Sequence, residues 1–197
     1  MSLEHAILGF LNYTPFSGYD LKKMFDTSVQ HFWAADQSQI YRTLARLVER
    51  GWTEVEVVEQ DDRPDRKVYH LTEAGRTELH RWLITPLTHG PHRSPELVQV
   101  FFAGQLQDAE ILEMFEREAE KIRAVLARFG DVPQQAAEYV ETLGTPRETF
   151  FWFLTLEAGI ESARAHLAWL ESVITRIQAG AVPPFEPGTT ESKESHD

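Results

Sequence analysis

The chain has 197 residues, 42% of them hydrophobic and 25% charged, and a formal net charge of −12. That is enough apolar material to bury one or two ordinary cores without help from metals or disulfides. Cysteine is absent, which excludes disulfides and thiolate metal sites and fits a reducing compartment.

The N-terminal run MSLEHAILGFLNYT is too short, and too interrupted by Glu4, His5 and Asn12, for a secretory or membrane segment, so the expected location is the cytoplasm. Within it Leu3, Ala6, Ile7, Phe10 and Leu11 recur at helical spacing and predict a first helix that ends near Tyr13, before the punctuation TPFSG. Ser17 suits the cap of a second helix with apolar positions Tyr19, Leu21, Met24 and Phe25. Asp36 or Ser38 suits the cap of a third, which buries Ile40, Leu44, Leu47 and Val48 and stops at Gly51. The same phase sets Arg42, Arg46 and Arg50 on one strip, about 6 Å apart along the axis.

Past Gly51 the pattern alternates in TEVEVVEQ and again in KVYHLT, which predicts a β-hairpin whose tip, DDRPDR, is charged. Thr72 opens a fourth helix with Leu79, Trp82 and Leu83 facing inward. The proline- and glycine-rich TPLTHGPHRSP marks a boundary. Beyond it the chain reads as helical: a segment in ELVQVFFAGQL, one from about Asp108 to Phe129, a shorter one around Pro133 to Leu143, and a last one from Pro146 to about Ala179. The last carries large apolar residues on more than one face, as an element buried between others would. From Gly180 onward, prolines among polar residues have the composition of a disordered tail. The expected domains are therefore 1–85, a linker over 86–95, a helical domain over 96–179 and a tail over 180–197.

The acidity is unevenly placed. Residues 1–85 hold 10 lysines and arginines against 13 acidic residues, and residues 86–197 hold 9 against 18. A locally basic face on the first half is therefore compatible with the acidic whole. Three helices, a hairpin and a fourth helix, with arginines on the third helix, is the layout of a winged helix-turn-helix, whose third helix enters the DNA major groove. On that reading Arg42, Arg46 and Arg50 form a basic reading edge, and Arg63, Arg66 and Lys67 on the wing reach a neighbouring phosphate run or the minor groove.

The stretches SGYDLKKMF, SQIYRTLARLVERGW, KVYHLTEAGRTELHRWL and SPELVQVFFAG together resemble the PadR family of bacterial transcriptional regulators, and FLTLEAGIESARAHLAWLESVI resembles the C-terminal dimerisation helix of its virulence-regulator-like branch. The likeness covers roughly residues 1–178. It implies a mainly α fold with a small β-hairpin, a winged helix-turn-helix joined to a C-terminal helical dimerisation domain. It also implies a homodimeric regulator on double-stranded DNA, a repressor on an inverted-repeat operator being the expected mode, and in some members a flat aromatic or phenolic effector that alters DNA affinity. By position, Tyr19, Lys22, Ser38, Gln39, Tyr41, Arg42 and Arg46 match DNA-facing places of the family pattern. Many relatives carry proline where this chain has Arg42, so the role of Arg42 rests on charge and helical phase.

Plainer readings stand beside these. Arginines at four-residue spacing often mark only a solvated helix face, and Tyr41 is apolar enough to be half core. Phe150, Phe151, Trp152 and Phe153, with Ile160, Leu167, Trp169 and Leu170 on later turns, fit core or dimer packing first and an effector pocket second. His89 and His92 lie in a proline-flanked loop with no third ligand nearby, and no HExxH occurs, so no metal is expected. With no glycine-rich phosphate loop, serine elbow or cysteine nucleophile, neither catalysis nor a cofactor is expected. The alternative class is a winged-helix protein-protein adaptor, for which the overall acidity speaks.

Overall fold

The computed structural model describes residues 2–30, 32–59, 65–87 and 93–184. Its elements run α1 (Ser2–Tyr13), β1 (Phe16–Ser17), α2 (Gly18–Met24), a wider π-type turn (Phe25–Val29), α3 (Gln37–Glu49), β2 (Thr53–Val58), β3 (Arg66–Leu71), α4 (Glu73–Ile84), α5 (Pro95–Phe102), α6 (Asp108–Leu143) and α7 (Pro146–Gln178). The described residues cluster into two compact units. One combines residues 1–88 with 130–159, and the other residues 89–129 with 160–197.

In the first unit, Ile7 and Leu8 of α1, Leu21 of α2, Phe25, and Ile40, Leu44 and Leu47 of α3 are fully buried. Burial of each such side chain contributes ~1.5–3 kcal/mol, so these positions fix how α1, α2 and α3 pack. Val48 is only half-buried, Tyr19 is exposed at 68%, and Leu83 points outward at 65% exposure while Leu79 and Trp82 turn in. The sheet has three strands in the order β1-β3-β2, one more than the expected hairpin. Phe16 and Ser17 pair antiparallel with Tyr69 and Val68, opposite the side that β2 occupies. A two-residue strand has no alternation to read, so the sequence pattern cannot reveal it.

Helices α2, α3 and α4 each start on a side-chain cap. Ser17 accepts from the Asp20 amide, Asp36 from Gln39 and Thr72 from Gly75, satisfying amides that a first turn leaves without partners. Thr72 also donates to the Gly51 carbonyl at 2.7 Å, tying the start of α4 to the end of α3. The glycine of the Leu-Thr-x-x-Gly motif has a steric cause. A Cβ on Gly75 would lie 2.1 Å from the Trp52 carbonyl oxygen, so only glycine lets α4 cross that backbone.

The expected break between Phe129 and Pro133 is absent: α6 is one helix of 36 residues with Pro133 inside it. A mid-helix proline forfeits the bond to the carbonyl four residues earlier, here Phe129, while the turns on either side keep theirs. The packing does change at that point, for residues up to Phe129 belong to one unit and those from Gly130 to the other. The core of the second unit gathers Ile111, Phe115 and Ala119 of α6 with Leu170 and Ile177 of α7, and Trp169 meets Phe115 edge-on at 5.8 Å. Among the described residues no helix is long and apolar enough to cross a membrane, and no group of three or more His, Cys, Asp or Glu side chains is placed to hold a metal ion.

Candidate nucleic-acid interface

The capping box of Asp36 and Gln39 sets the first turn of α3. The Gln39 amide donates to Asp36 Oδ1 at 2.7 Å, and the Asp36 amide donates to Gln39 Oε1 at 3.0 Å. Ser38 donates to the same Asp36 oxygen at 2.7 Å. These bonds hold the Asp36 carboxyl below its ordinary value, the Ser38 hydroxyl first and the Gln39 amide next. A well-fixed first turn then presents Ser38, Gln39, Tyr41 and Arg42, all exposed.

Tyr41 lies half-exposed at 42%, its ring against Gly18 at the start of α2. A Cβ on Gly18 would stand 2.5 Å from the Tyr41 ring, which explains the Ser-Gly-Tyr of the second helix. Tyr19 follows on the exposed side of the same turn, and one turn on Lys22 pairs with Asp26.

The three arginines of the strip separate by environment. Arg42 bonds only weakly to Ser38, with Nε 3.3 Å from the carbonyl oxygen, and among the described residues it forms no ion pair. Arg46 and Arg50 converge on Glu4 of α1, at 3.4 and 3.0 Å, and the Glu4 side chain is only 10% exposed. Arg46 also donates to Thr43 at 3.0 Å, and the Arg50 guanidinium lies over the Trp52 ring at 5.0 Å. Leu3, Gln39, Arg42, Thr43 and Arg46 line a shallow depression of about 240 Å³ beside this cluster.

The wing residues also divide. Arg66, at the base of β3, donates to Asp20 Oδ2, the carboxylate that completes the Ser17 capping box. Burial tends to raise the Asp20 carboxyl, and hydrogen bonds from Ser17 and Arg66 outweigh it and hold it below its ordinary value. Lys67 is exposed on β3, while Arg63 lies outside the described residues, as do Pro64, His89, His92 and the tail beyond residue 184.

The strip is thus less basic than its arginine count suggests. Glu4 spends its charge on two of the three arginines, Asp20 on Arg66 and Asp26 on Lys22. In sequence Glu4 registers only as an interruption of an apolar run, because its partners lie more than forty residues away.

The eight residues considered for dimer contact or effector binding divide between the two units. Phe150, Phe151, Trp152 and Phe153 belong to the first unit and Ile160, Leu167, Trp169 and Leu170 to the second. Phe150 and Phe151 are exposed at 60% and 50%, whereas Trp152 turns inward and meets Tyr13, its indole N–H 3.3 Å from the phenol oxygen. Leu170 is 1% exposed and fills its own chain's core, which removes it from any surface role, and Trp169 packs beside it. An apolar surface absent from that set is α5. Leu97, Val98, Phe101 and Phe102 are exposed there at 52%, 57%, 80% and 55%.

Residues 7–81 match the transcriptional regulator PadR-like family, and residues 92–178 match the C-terminal domain described as virulence activator alpha. The chain is 30% identical over 181 residues to the negative transcriptional regulator PadR of Bacillus subtilis, covering 89% of this chain and 97% of that protein. The crystal structure of B. subtilis PadR in complex with operator DNA superposes with a TM-score of 0.77 at 29% identity, over 90% of this chain and 99% of the other. The structure of the same protein with p-coumaric acid gives 0.71 at 28% identity, over 90% and 99%.

Proposed function

The chain belongs to the PadR-like family of transcriptional regulators, and from that premise we propose that it is a homodimeric repressor that binds an inverted-repeat operator and releases it in response to a small aromatic effector. The observation that carries the DNA-binding part is the face shared by α2 and α3, where Tyr19, Ser38, Tyr41 and Arg42 are exposed around a rigidly capped helix start. One α-helix fits the major groove, which is roughly 12 Å wide, and this end of α3 would meet base edges. Arg42 is assigned the groove contact. Arg46 and Arg50 are assigned chiefly to bracing α3 on α1 through Glu4, and Arg66 to bracing the wing on α2 through Asp20.

Dimerisation is supported by apolar faces that the chain leaves uncovered, on α5 and on the first turns of α7. A two-fold pair would hold two α3 helices about 34–36 Å apart, or a small multiple of that, and so read an inverted repeat. The effector-responsive part rests on the likeness to a relative solved with p-coumaric acid.

Enrichment from a random-duplex library should recover an inverted repeat, and affinity for it should fall with salt by about 0.9 log unit per log unit of salt for each phosphate contacted. A library that yields no repeat, together with binding indifferent to salt, would overturn this reading and favour a protein-protein adaptor.

A further inference from the structure

Gln39 is exposed on α3 and lines, with Leu3, Arg42, Thr43 and Arg46, the shallow depression beside the Glu4 cluster. Its side chain is already half committed. In the capping box the Asp36 amide donates to Gln39 Oε1 at 3.0 Å. A backbone N–H can only donate, so the atom that meets it has to be the carboxamide oxygen, which fixes the direction of the Gln39 amide. The Nε2 amino group, with its N–H donors, is the end that remains for DNA. Arg42, on the same strip, has donors and no acceptor. Ser38 has its proton on Asp36 Oδ1 at 2.7 Å and supplies no donor while that bond lasts.

We propose that Gln39 is a specificity-determining residue of the reading surface, held by its capping bond as a donor that selects guanine over adenine. The assignment rests on the DNA-binding reading above and adds the base chemistry at one position. A glutamine free to turn sets its oxygen and amino group together on adenine, accepting from N6 and donating to N7. Gln39 cannot do so with its oxygen turned back on the Asp36 backbone. Guanine presents O6 and N7, two acceptors side by side in the major groove, and the Gln39 amino group meets them as a donor. Adenine in the same place would set its N6 amino group against that of Gln39, donor facing donor, and leave a desolvated polar group unpaired. The cap that starts the helix thus also sets the hydrogen-bond polarity of a side chain that reads DNA.

The test enriches duplexes from a random library with the intact chain, Gln39→Glu and Gln39→Ala, each variant confirmed folded by its melting transition. Gln39→Glu keeps an oxygen for the Asp36 amide, so the cap persists, and replaces the amino group with a second acceptor. One symmetry-related pair of operator positions, guanine for the intact chain, should lose its preference by about fivefold or more in both variants, while the remaining positions keep theirs. Binding of the intact chain to its preferred duplex should survive inosine at that guanine, which retains O6 and N7. Adenine or 7-deazaguanine there should weaken it by about fivefold or more. Adenine at the responding position, or no responding position although a preferred duplex still binds, overturns the proposal and leaves the DNA-binding reading intact. Equal loss at every position makes Gln39 a phosphate contact and overturns it as well. A library that yields no preferred duplex for the intact chain removes the DNA-binding reading itself, and the role of Gln39 with it.

Discussion

The helices α1 to α3 of the first unit and the helix α5 of the second differ in how much of their apolar surface they close within the chain. In the first, α1, α2, the turn after it and α3 bury seven large side chains completely, α2, α3 and α4 start on side-chain caps, and long-range ion pairs such as Arg50 to Glu4 and Arg66 to Asp20 join the elements. In the second, α5 has no buried residue, and Phe101 and Phe102 pack edge-on against each other at 5.0 Å while exposed to solvent. A self-sufficient core suits a module that must present a fixed surface to a rigid duplex. A surface left open suits an element completed by a second copy, since exposed aromatic side chains of this size are costly to keep in water.

That contrast is broken most forcefully on α5. Phe101→Glu with Phe102→Glu should convert a dimer into a monomer in sedimentation at micromolar concentration. Operator affinity should then fall by roughly 10²–10⁴-fold, because the second half-site loses its linked advantage. The thermal transition of the first unit should change little. If the double variant stays dimeric, the open face on α5 is not the interface. The opposite experiment is Leu44→Ala, at a position 0% exposed, which should destabilise the first unit by about 2–5 kcal/mol in denaturant and leave the oligomeric state unchanged. A loss under about 1 kcal/mol would mean that the core can collapse around the deletion.

Within the first unit the same contrast separates arginines that hold the fold from those available to DNA. Arg42→Ala should cost on the order of 1–3 kcal/mol at one operator position if it reads a base, or about one unit of salt slope if it meets phosphate, with the melting transition unchanged. Arg50→Ala should instead lower stability, since it takes a partner from a nearly buried carboxylate and cover from Trp52. Equal losses of DNA affinity with equal stability in both variants would erase the distinction drawn from Glu4.

What the sequence made legible follows the same division. Helical phase, cap residues and the breaks at Gly51 and Thr72 are local, and α1 to α4 follow them within a residue or two, as does the burial of Ile40, Leu44 and Leu47. The pairing of Glu4 with two arginines and of Asp20 with Arg66 is tertiary, spanning more than forty residues each time, so charge and spacing overstate the free basicity of α3 and the wing. Pro133 misleads in the other direction, because its local preference for a break is overridden within the 36-residue α6. The exposed apolar stripe of α5 was present in PELVQVFF, yet eight residues of that composition fit a buried helix as readily as an uncovered one.

The smallest expected effect concerns the seam between α1 and α4. His5, 4% exposed, stacks on Trp82 at 4.7 Å, and its Nε2 lies 3.1 Å from Glu78, which also accepts two hydrogen bonds from Arg81, at 2.6 and 2.7 Å. The bonds from Arg81 first, and then the contact with His5, bring the Glu78 carboxyl down to about 2 from its ordinary 4.5. A carboxyl that holds its proton less tightly when folded than when unfolded adds stability above its unfolded value. That contribution shrinks as the pH falls from about 5 and is gone once the pH has passed below about 2. The melting temperature of the intact chain should therefore fall across this window, and Glu78→Gln should flatten the fall. The gap between the two proteins should be widest near neutral pH and close towards pH 2. Because Arg81 is well exposed, moderate salt should narrow the gap at neutral pH as well. Parallel melting curves for both proteins from pH 7 to pH 2.5 would show that the pair contributes nothing to the seam. A response in the first unit's transition alone would place this electrostatic brace in the module that presents its surface to DNA and leave the second unit's association untouched by it.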